Sequence, residues 1–380
     1  MSNTQTIHEI KEELRELFPE TPLQYSKFLS ERYEADVYIK REDLTPVRSY
    51  KIRGGFNFLH KYLDQNPDAM EFVCASAGNH AQGFAFACKH FKRKGLVYMP
   101  TTTPGQKITK TKVAGEEWVE VVLQGDVFDD ALNAAKKYSE DNNVAMVPPF
   151  DHEWITQGQA TIGAEILDQI DRPVDILMVP VGGGGLSAGI LPYFAEQSPH
   201  TEVYLAETTG APALSESLKQ GDNIILDHID TFSDGTAVKQ IGHYNFGVLQ
   251  ELYKKEVLLV PENRICQTML DFLSYDGIIM EPAGALAIDA LKNIPKPKLK
   301  GKTIVCVLSG GNFDFSRLAE VKERAMKFEG LKKYFILRLP QRPGALKEFL
   351  GCLGEGDDIA RFEYLKKSSK AYGSVLLGIE

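Results

Sequence analysis

Lys51 is a side chain that could carry out chemistry. It lies in the string SYKIRGG, which runs from Ser49 to Gly55. A lysine amine can act as a base or attack a carbonyl carbon once its surroundings lower its pKa. Lys51 lies between Tyr50 and Ile52, at the predicted start of a helix that Ser49 would cap. A lysine taken alone is usually a solvated surface charge, so other segments of the sequence must decide between the two interpretations.

Three further segments are rich in glycine, serine and asparagine, and each directly follows a run of apolar residues. They are SAGNHAQG (76–83), VPVGGGGLSAG (179–189) and LSGGNFD (308–314). Small residues let a backbone approach a ligand closely, and the N–H groups that open a helix attract anions. Asn79 offers an amide that donates and accepts, although a helix cap explains that segment better when it is taken alone. The Ser309 hydroxyl could bond a ring nitrogen or a phosphate, with a turn capped by Asn312 as the alternative.

Four consecutive glycines, Gly182 to Gly185, form the least ordinary of these segments. Because glycine loses much entropy on folding, such a run usually marks a nest of backbone N–H groups that binds phosphate. The string from Gly183 to Ala188 also fits the dinucleotide fingerprint GxGxxG/A, and Glu207 ends the next predicted strand, where a ribose-binding acid belongs. This loop alone therefore fits a nicotinamide or flavin enzyme as well as any other phosphate binder.

The pattern of apolar residues predicts the elements that would position these loops. Strands are predicted at 36–40, 72–75, 95–99, 118–123, 176–181, 203–207 and 303–308, and helices at 80–90, 127–138 and 156–169. Strands that alternate with helices favour an α/β fold with mainly parallel sheets, in which ligands gather where strands end. After residues 328–333 the pattern changes to strands at 334–339, 360–365 and 373–379 with a helix at 344–353, which predicts a separate β-α-β-β module.

Composition narrows the class of protein. A chain of 380 residues, with 43% hydrophobic and 25% charged residues, predicts about two to three globular domains. The formal net charge of -9 gives no electrostatic support for binding nucleic acid or an anionic membrane. No apolar run is long enough to cross a bilayer, the first residues do not resemble a signal peptide, and the five scattered cysteines fit a reducing compartment. We therefore expect a cytoplasmic enzyme that binds neither nucleic acid nor membrane.

Five segments occur in the order found in one enzyme family: SYKIRGG, SAGNHAQG, VPVGGGGLSAG, MEPAGA (280–285) and LSGGN. Over nearly its whole length the sequence resembles the threonine/serine dehydratase family, pyridoxal-phosphate enzymes of the tryptophan-synthase-β fold type. Within that family it is most similar to the biosynthetic threonine dehydratases, also called threonine deaminases or threonine ammonia-lyases. The resemblance implies conversion of L-threonine to 2-oxobutanoate and ammonia, or of serine to pyruvate. A lysine that forms a Schiff base with the cofactor is required by this chemistry and not by a dinucleotide fold.

The resemblance also implies a role for each matching residue. Lys51 is the expected Schiff-base lysine and general base. The expected cofactor contacts are made by Asn79 to the ring hydroxyl, by Ser309 to the pyridine nitrogen, and by the loop Gly182, Gly183, Gly184, Gly185 and Leu186 to the phosphate. The substrate carboxylate is expected on the backbone of Ser76, Ala77, Gly78, Asn79 and His80. Glu281, within MEPAGA, falls in a family motif near the ring, and the resemblance assigns it no definite role.

Two departures from relatives within this fold type carry further expectations. Serine racemases have a serine where this sequence has Ala77, so racemisation should be poor. Those relatives also bind a divalent metal through acids after the strand that here ends in Glu207. Because Ala211 and Ala213 follow at the matching spacing, we expect no tight metal site.

The string LPQRPGALKEFL (339–350) resembles the ACT-like regulatory domain, which implies sensing of isoleucine or valine, although a Pro-Gly turn before an amphipathic helix fits equally well. The family's unit is β-α-β-β-α-β, and the sequence supplies its first four elements, so weak or absent isoleucine inhibition is expected. The predicted division is a catalytic domain at 1–328, with a smaller subdomain at roughly 48–149, and an incomplete regulatory domain at 331–380. A homodimer or homotetramer is expected from the family.

Three alternatives stay open at this point. The nearest is another enzyme of the same fold type, such as a serine dehydratase, a threonine synthase or a relative of cysteine synthase. A dinucleotide-dependent oxidoreductase would leave Lys51, Asn79 and Ser309 unexplained. A non-catalytic amino-acid sensor is disfavoured by the intact catalytic loops.

Overall fold

The computed structural model describes residues 3–365 and 371–380, which form two compact units, one ending at Asp314 and one spanning Phe315–Glu380. The strands are β1 (Leu23–Tyr25), β2 (Asp36–Arg41), β3 (Glu71–Ala75), β4 (Lys94–Met99), β5 (Val119–Leu123), β6 (Ala145–Met146), β7 (Ile176–Pro180), β8 (Glu202–Thr208), β9 (Leu258–Val260), β10 (Thr303–Leu308), β11 (Lys333–Pro340), β12 (Ile359–Leu365) and β13 (Tyr372–Ile379). The helices are α1 (Asn3–Arg15), α2 (Lys27–Tyr33), α3 (Lys51–Gln65), α4 (Asn79–Phe91), α5 (Gly105–Gly115), α6 (Phe128–Asn142), α7 (Glu153–Gln169), α8 (Gly185–Gln197), α9 (Ala213–Gln220), α10 (His243–Leu252), α11 (Glu262–Tyr275), α12 (Pro282–Asp289), α13 (Lys296–Leu299), α14 (Leu318–Glu329) and α15 (Ala345–Leu350).

The larger sheet of the first unit has six strands in the order β1-β2-β10-β7-β8-β9, and every neighbouring pair is parallel except β1 with β2. All residues of β7 and β10 are buried, as is typical of central parallel strands, and this explains their unbroken apolar sequences. Because β7 and β10 are parallel neighbours, the glycine loop after β7 and the LSGGN loop after β10 leave the sheet at the same edge.

A second, four-stranded parallel sheet in the order β5-β4-β3-β6 is inserted between β2 and β7. Its strands lie between residues 71 and 146, within the predicted smaller subdomain at roughly 48–149. The limits of that subdomain stay a prediction. Phe72 of β3, Ile52 of α3, Phe84 of α4 and Ile155 of α7 share one buried core. The helix that begins at Lys51 is therefore held by the same core as the SAGNH segment.

The predicted α/β class and the seven predicted strands and three predicted helices are confirmed, with bounds that shift by at most four residues. The predicted β-α-β-β module is also confirmed, as β11, α15, β12 and β13 in an antiparallel sheet of order β11-β13-β12. Val375 and Leu377 of β13 and Ala345 of α15 are buried in this second unit. Among the described residues, no helix combines the length and the apolarity that crossing a membrane requires.

Candidate active site

Lys51 is the first residue of α3, and its amine is partly buried. Nζ donates a hydrogen bond to the carbonyl oxygen of Pro149 at 2.7 Å and lies 5.4 Å and 5.7 Å from the ring centres of Tyr50 and Phe150. Burial lowers the pKa of Lys51 to about 8, against the opposing effect of the Glu281 carboxylate. A substantial fraction of this amine is therefore neutral near physiological pH, as a base or nucleophile must be.

The segment before Lys51 pairs with the loop after β10. The Tyr50 N–H donates to the Ser309 carbonyl at 3.2 Å, and Ser49 and Gly310 form an isolated antiparallel bridge. The predicted capping of α3 by Ser49 is wrong, because Tyr50 occupies the N-cap position and the buried Ser49 hydroxyl has no hydrogen-bond partner in the described part of the chain. Instead, these contacts place the LSGGN loop beside the lysine.

Helix α4 crosses α3 next to Lys51 at a pair of glycines. A Cβ on Gly83 would lie 2.8 Å from the carbonyl carbon and oxygen of Lys51 and 2.9 Å from the nitrogen of Ile52. A Cβ on Gly55 would lie 3.3 Å from the Gly83 carbonyl. Only glycine at position 83 lets the two backbones approach this closely, a role that the sequence did not reveal.

Asn79 opens α4, and both ends of its amide are hydrogen-bonded. Nδ2 donates to Glu281 Oε1 at 2.7 Å, and Oδ1 accepts from Asn312 Nδ2 at 2.8 Å. The capping alternative for this segment is wrong, since Gly78 is the N-cap residue and makes no side-chain cap, while Ser76 Oγ accepts from the Gly78 N–H at 3.2 Å. The two partners fix the orientation of the Asn79 amide. Asn312 was considered only as a turn cap from sequence, and its link to Asn79 was missed.

His80, the last residue of the SAGNH segment, is buried and bonds a backbone carbonyl. Its ring Nε2 donates to the Val147 carbonyl at 3.0 Å, and burial, together with the charge of Lys51, lowers the pKa of His80 to about 3. The ring is therefore neutral, and its one N–H proton is held by the Val147 carbonyl. The half-buried residues Ser76 to Gly78 lead into the start of α4, where backbone N–H groups favour a carboxylate.

The glycine loop joins β7 to α8. None of the N–H groups from Gly182 to Leu186 donates to another group within residues 3–365 and 371–380. Gly184 has a φ of +86°, which favours glycine, and a Cβ on Gly183 would lie 2.5 Å from the ring of Phe150. The loop is thus a run of N–H donors that have no partner among the described residues, packed too closely against its neighbours to carry side chains, which suits a phosphate.

Ser309 directly follows β10 and is buried. Its Oγ donates to the Ala283 carbonyl at 3.1 Å, and the N–H of Glu281 donates to the Gly310 carbonyl at 3.3 Å. The MEPAGA and LSGGN segments therefore lie against each other. Through Tyr50, Glu281 and Phe150, the structure brings the lysine, Asn79, Ser309 and the glycine loop into one site.

Glu281 is a buried acid of this site, and its definite role was left open in the sequence analysis. Burial, with the negative charge of Asp234 as the next contribution, raises the pKa of Glu281 to about 7, while the hydrogen bond from Asn79 opposes the shift. Only its position in the fold, 202 residues from Asn79 along the chain, discloses that contact.

We predict that Glu281→Gln removes a pH dependence of stability. Because the pKa of Glu281 is about 7 in the folded protein and ordinarily 4.5, the stabilising effect of the proton is complete below pH 4.5 and is lost as pH rises through 7. Wild type should therefore lose about 3 kcal/mol of unfolding free energy relative to the variant over this range. Urea unfolding of both cofactor-free proteins at several pH values measures this; a difference independent of pH would contradict it.

The structure also bears on the dinucleotide alternative. Both carboxylate oxygens of Glu207 accept backbone N–H groups at the start of α9, from Leu214 at 2.7 Å and Ser215 at 2.8 Å. Because both oxygens of this buried carboxylate cap a helix, they are not available to bind a ribose. No group of three His, Cys, Asp or Glu side chains that could hold a metal occurs in the described ranges, and the expectation of no metal site stays a prediction.

The residues of the site fit pyridoxal phosphate. A lysine of lowered pKa suits its aldehyde, the unpaired glycine-loop donors suit its phosphate, and the buried Ser309 hydroxyl and oriented Asn79 amide suit its ring. The family model described as pyridoxal-phosphate dependent enzyme matches residues 14–310, and that described as the C-terminal regulatory domain of threonine dehydratase matches 323–380. Fold and site together define a pyridoxal-phosphate-dependent enzyme.

Individual relatives show which enzymes of this class the chain resembles. The chain is 50% identical over 368 residues to the biosynthetic L-threonine dehydratase of Halalkalibacterium halodurans, covering 97% of this chain and 88% of that one. It is 46% identical over 361 residues to that of Bacillus subtilis, covering 95% and 85%. The processed threonine deaminase isoform 2 of Solanum lycopersicum superposes with a TM-score of 0.79 at 37% identity, covering 85% of this chain and 93% of the other. The chain belongs to the family of biosynthetic L-threonine dehydratases.

Proposed function

We propose that this chain catalyses the pyridoxal-phosphate-dependent dehydration and deamination of L-threonine to 2-oxobutanoate and ammonia, the first step of isoleucine biosynthesis, in the cytoplasm. Lys51 is the proposed Schiff-base lysine and general base. The observation that carries the proposal is the convergence of a lysine of lowered pKa with the unpaired glycine-loop donors in one site. The choice of L-threonine as the substrate is supported by the names of relatives up to 50% identical.

Each residue of the site then has a part in the reaction. When bound, pyridoxal phosphate supplies a carbonyl for the substrate amine and a ring that withdraws electrons from the α-carbon. The N–H groups of Gly182 to Leu186 hold the phosphate, and Asn79 and Ser309 hold the ring. The backbone of 76–80 receives the substrate carboxylate. Lys51, neutral at its lowered pKa, would take the α-proton.

The uncharged Ser309 favours elimination over transamination. A carboxylate opposite the ring nitrogen would keep that nitrogen protonated and strengthen electron withdrawal, whereas a hydroxyl carries no charge to do so. Weaker withdrawal suits a reaction in which the β-hydroxyl leaves soon after the α-proton is removed.

The visible absorbance of the purified protein, before and after addition of L-threonine, tests the proposal. We expect a yellow Schiff-base band that threonine shifts, together with release of 2-oxobutanoate. A band that responds to serine and not to threonine would replace the substrate by that of a serine dehydratase. Absence of a band after addition of pyridoxal phosphate would contradict the proposal.

We predict that the wild type racemises L-serine poorly and that Ala77→Ser increases D-serine formation. The half-buried position 77 precedes the Gly-Asn-His turn, where a hydroxyl could return a proton to the α-carbon from the side opposite Lys51. Chiral chromatography of serine after incubation measures both forms, with pyruvate as the internal reference. Rapid racemisation by the wild type would contradict the prediction.

We further propose that the C-terminal unit binds isoleucine or valine and regulates the enzyme, which acts as a homodimer or homotetramer. The match of 323–380 to a regulatory domain supports this role. Isothermal titration with isoleucine, valine and alanine as a control tests it, and equal absence of binding for all three would contradict it.

A further inference from the structure

Asn245, on α10, is a fully buried residue that lies outside every motif of the sequence. Its Nδ2 donates to two backbone carbonyls, that of Gly183 at 2.8 Å and that of Phe150 at 3.1 Å. The N–H of Gly242 donates to the same Gly183 carbonyl at 3.1 Å. The Gly183 carbonyl is thus held by two donors at the start of α10.

Holding this carbonyl also orients the glycine loop. In a trans peptide the C=O and the following N–H point in opposite directions. With the Gly183 oxygen directed at Asn245, the N–H of Gly184 is directed away from α10. The neighbouring N–H groups of the loop have no partner in the described residues either, and the positive φ of Gly184 permits the change of direction.

The second carbonyl held by Asn245 leads to the lysine. Phe150 packs its ring and backbone against Gly183 and Gly185, and the preceding carbonyl, that of Pro149, accepts from Lys51 Nζ at 2.7 Å. The following residue, Asp151, accepts the N–H groups of His243 and Tyr244 at 2.8 Å and 2.9 Å. One end of α10 therefore fixes both the glycine loop and the segment that contacts the lysine.

We propose that Asn245 is a positioning residue for the cofactor phosphate, which acts by holding the Gly183 and Phe150 carbonyls so that the glycine-loop N–H groups converge on the phosphate. This inference rests on the proposed function, in which that loop takes the phosphate. In this proposal Asn245 acts through the two carbonyls and not on the cofactor directly, so its effect must be seen in recognition of the phosphate group itself.

The test compares two ligands that differ only in that group. The full chain, freed of cofactor, is titrated with pyridoxal phosphate and with pyridoxal, and each Kd is followed by absorbance. Asn245→Ala should weaken binding of pyridoxal phosphate by at least about ten-fold and leave that of pyridoxal unchanged. The reason is that the Gly183 and Phe150 carbonyls each lose one of two donors and keep only the N–H of Gly242 and of His152. Asn245→Ser, whose hydroxyl is too short to span both carbonyls, should behave alike and serves if the alanine variant does not fold.

Asn57→Ala is the matched control. Asn57 is also fully buried, donates through Nδ2 to a backbone carbonyl, that of Trp154, and has an Oδ1 without a partner among described groups. Any effect of its loss is structural, so the ratio of the two Kd values should stay at that of the wild type.

The titrations distinguish failure of the positioning role of Asn245 from failure of the proposed function. Equal weakening of both ligands by Asn245→Ala, or no weakening of either, overturns the role of Asn245 while the proposed function stands. A wild type that binds pyridoxal as tightly as pyridoxal phosphate overturns the phosphate role of the glycine loop, and with it both proposals. Selective loss of pyridoxal phosphate supports the positioning role.

Discussion

Replacing Lys51 with alanine should lower the rate of 2-oxobutanoate formation from L-threonine by about 10³-fold or more, because the variant loses both the proposed nucleophile and the proposed general base. The burial that brings the pKa of this amine to about 8 suits it to both proposed roles. Steady-state kinetics with a coupled assay for 2-oxobutanoate measures the loss.

Two controls distinguish the amine from its charge and its helix. Lys51→Arg keeps a positive charge and cannot form a Schiff base, so it should be as inactive as the alanine variant. Lys61→Ala removes a lysine from the same helix, ten residues further along, and should retain activity. Substantial turnover by Lys51→Ala would mean that another residue performs the chemistry.

The second large effect is expected from Gly83→Ala, which adds one methyl group where α4 crosses α3. That methyl would lie 2.8 Å from the Lys51 backbone, so α3 and α4 must move apart. We expect kcat to fall by about 10²-fold, since displacing a reacting group by about 1 Å has an effect of this size. Overpacking should also lower stability by about 1–3 kcal/mol.

Gly247→Ala is the matched control for this substitution. Gly247 is likewise inside a helix, α10, but an added Cβ would have no neighbour within 4 Å. The control should gain about 0.5–1 kcal/mol of stability and keep its activity, because alanine is the better helix former. If both variants kept full activity, the close crossing of α3 and α4 would not position Lys51.

The strand-to-loop junctions were predictable because their signals are local. An unbroken apolar run followed by glycines marks β7 and the loop after it, and the same applies to β3 and β10. The strands β1, β6 and β9 were missed because two or three residues are too few to show a pattern. Their pairing is decided by the sheets they join.

The contacts that organise the site were not predictable, because they join distant segments. Asn79 meets Glu281 and Asn312 at separations of 202 and 233 residues, and Asn245 meets Gly183 at 62. Glu207 shows the converse, since its spacing from the glycine loop suited a ribose-binding acid until its contacts with α9 showed it capping a helix. Burial and hydrogen bonding in the folded chain decide such cases.

Borohydride reduction of the resting enzyme, followed by digestion and peptide mass mapping, tests the central claim most directly. Reduction converts a C=N bond to a stable C–N bond and so fixes the cofactor on the residue that carries it. The account predicts that the added mass lies on Lys51. A label on another lysine, or no label after loading with pyridoxal phosphate, would contradict it.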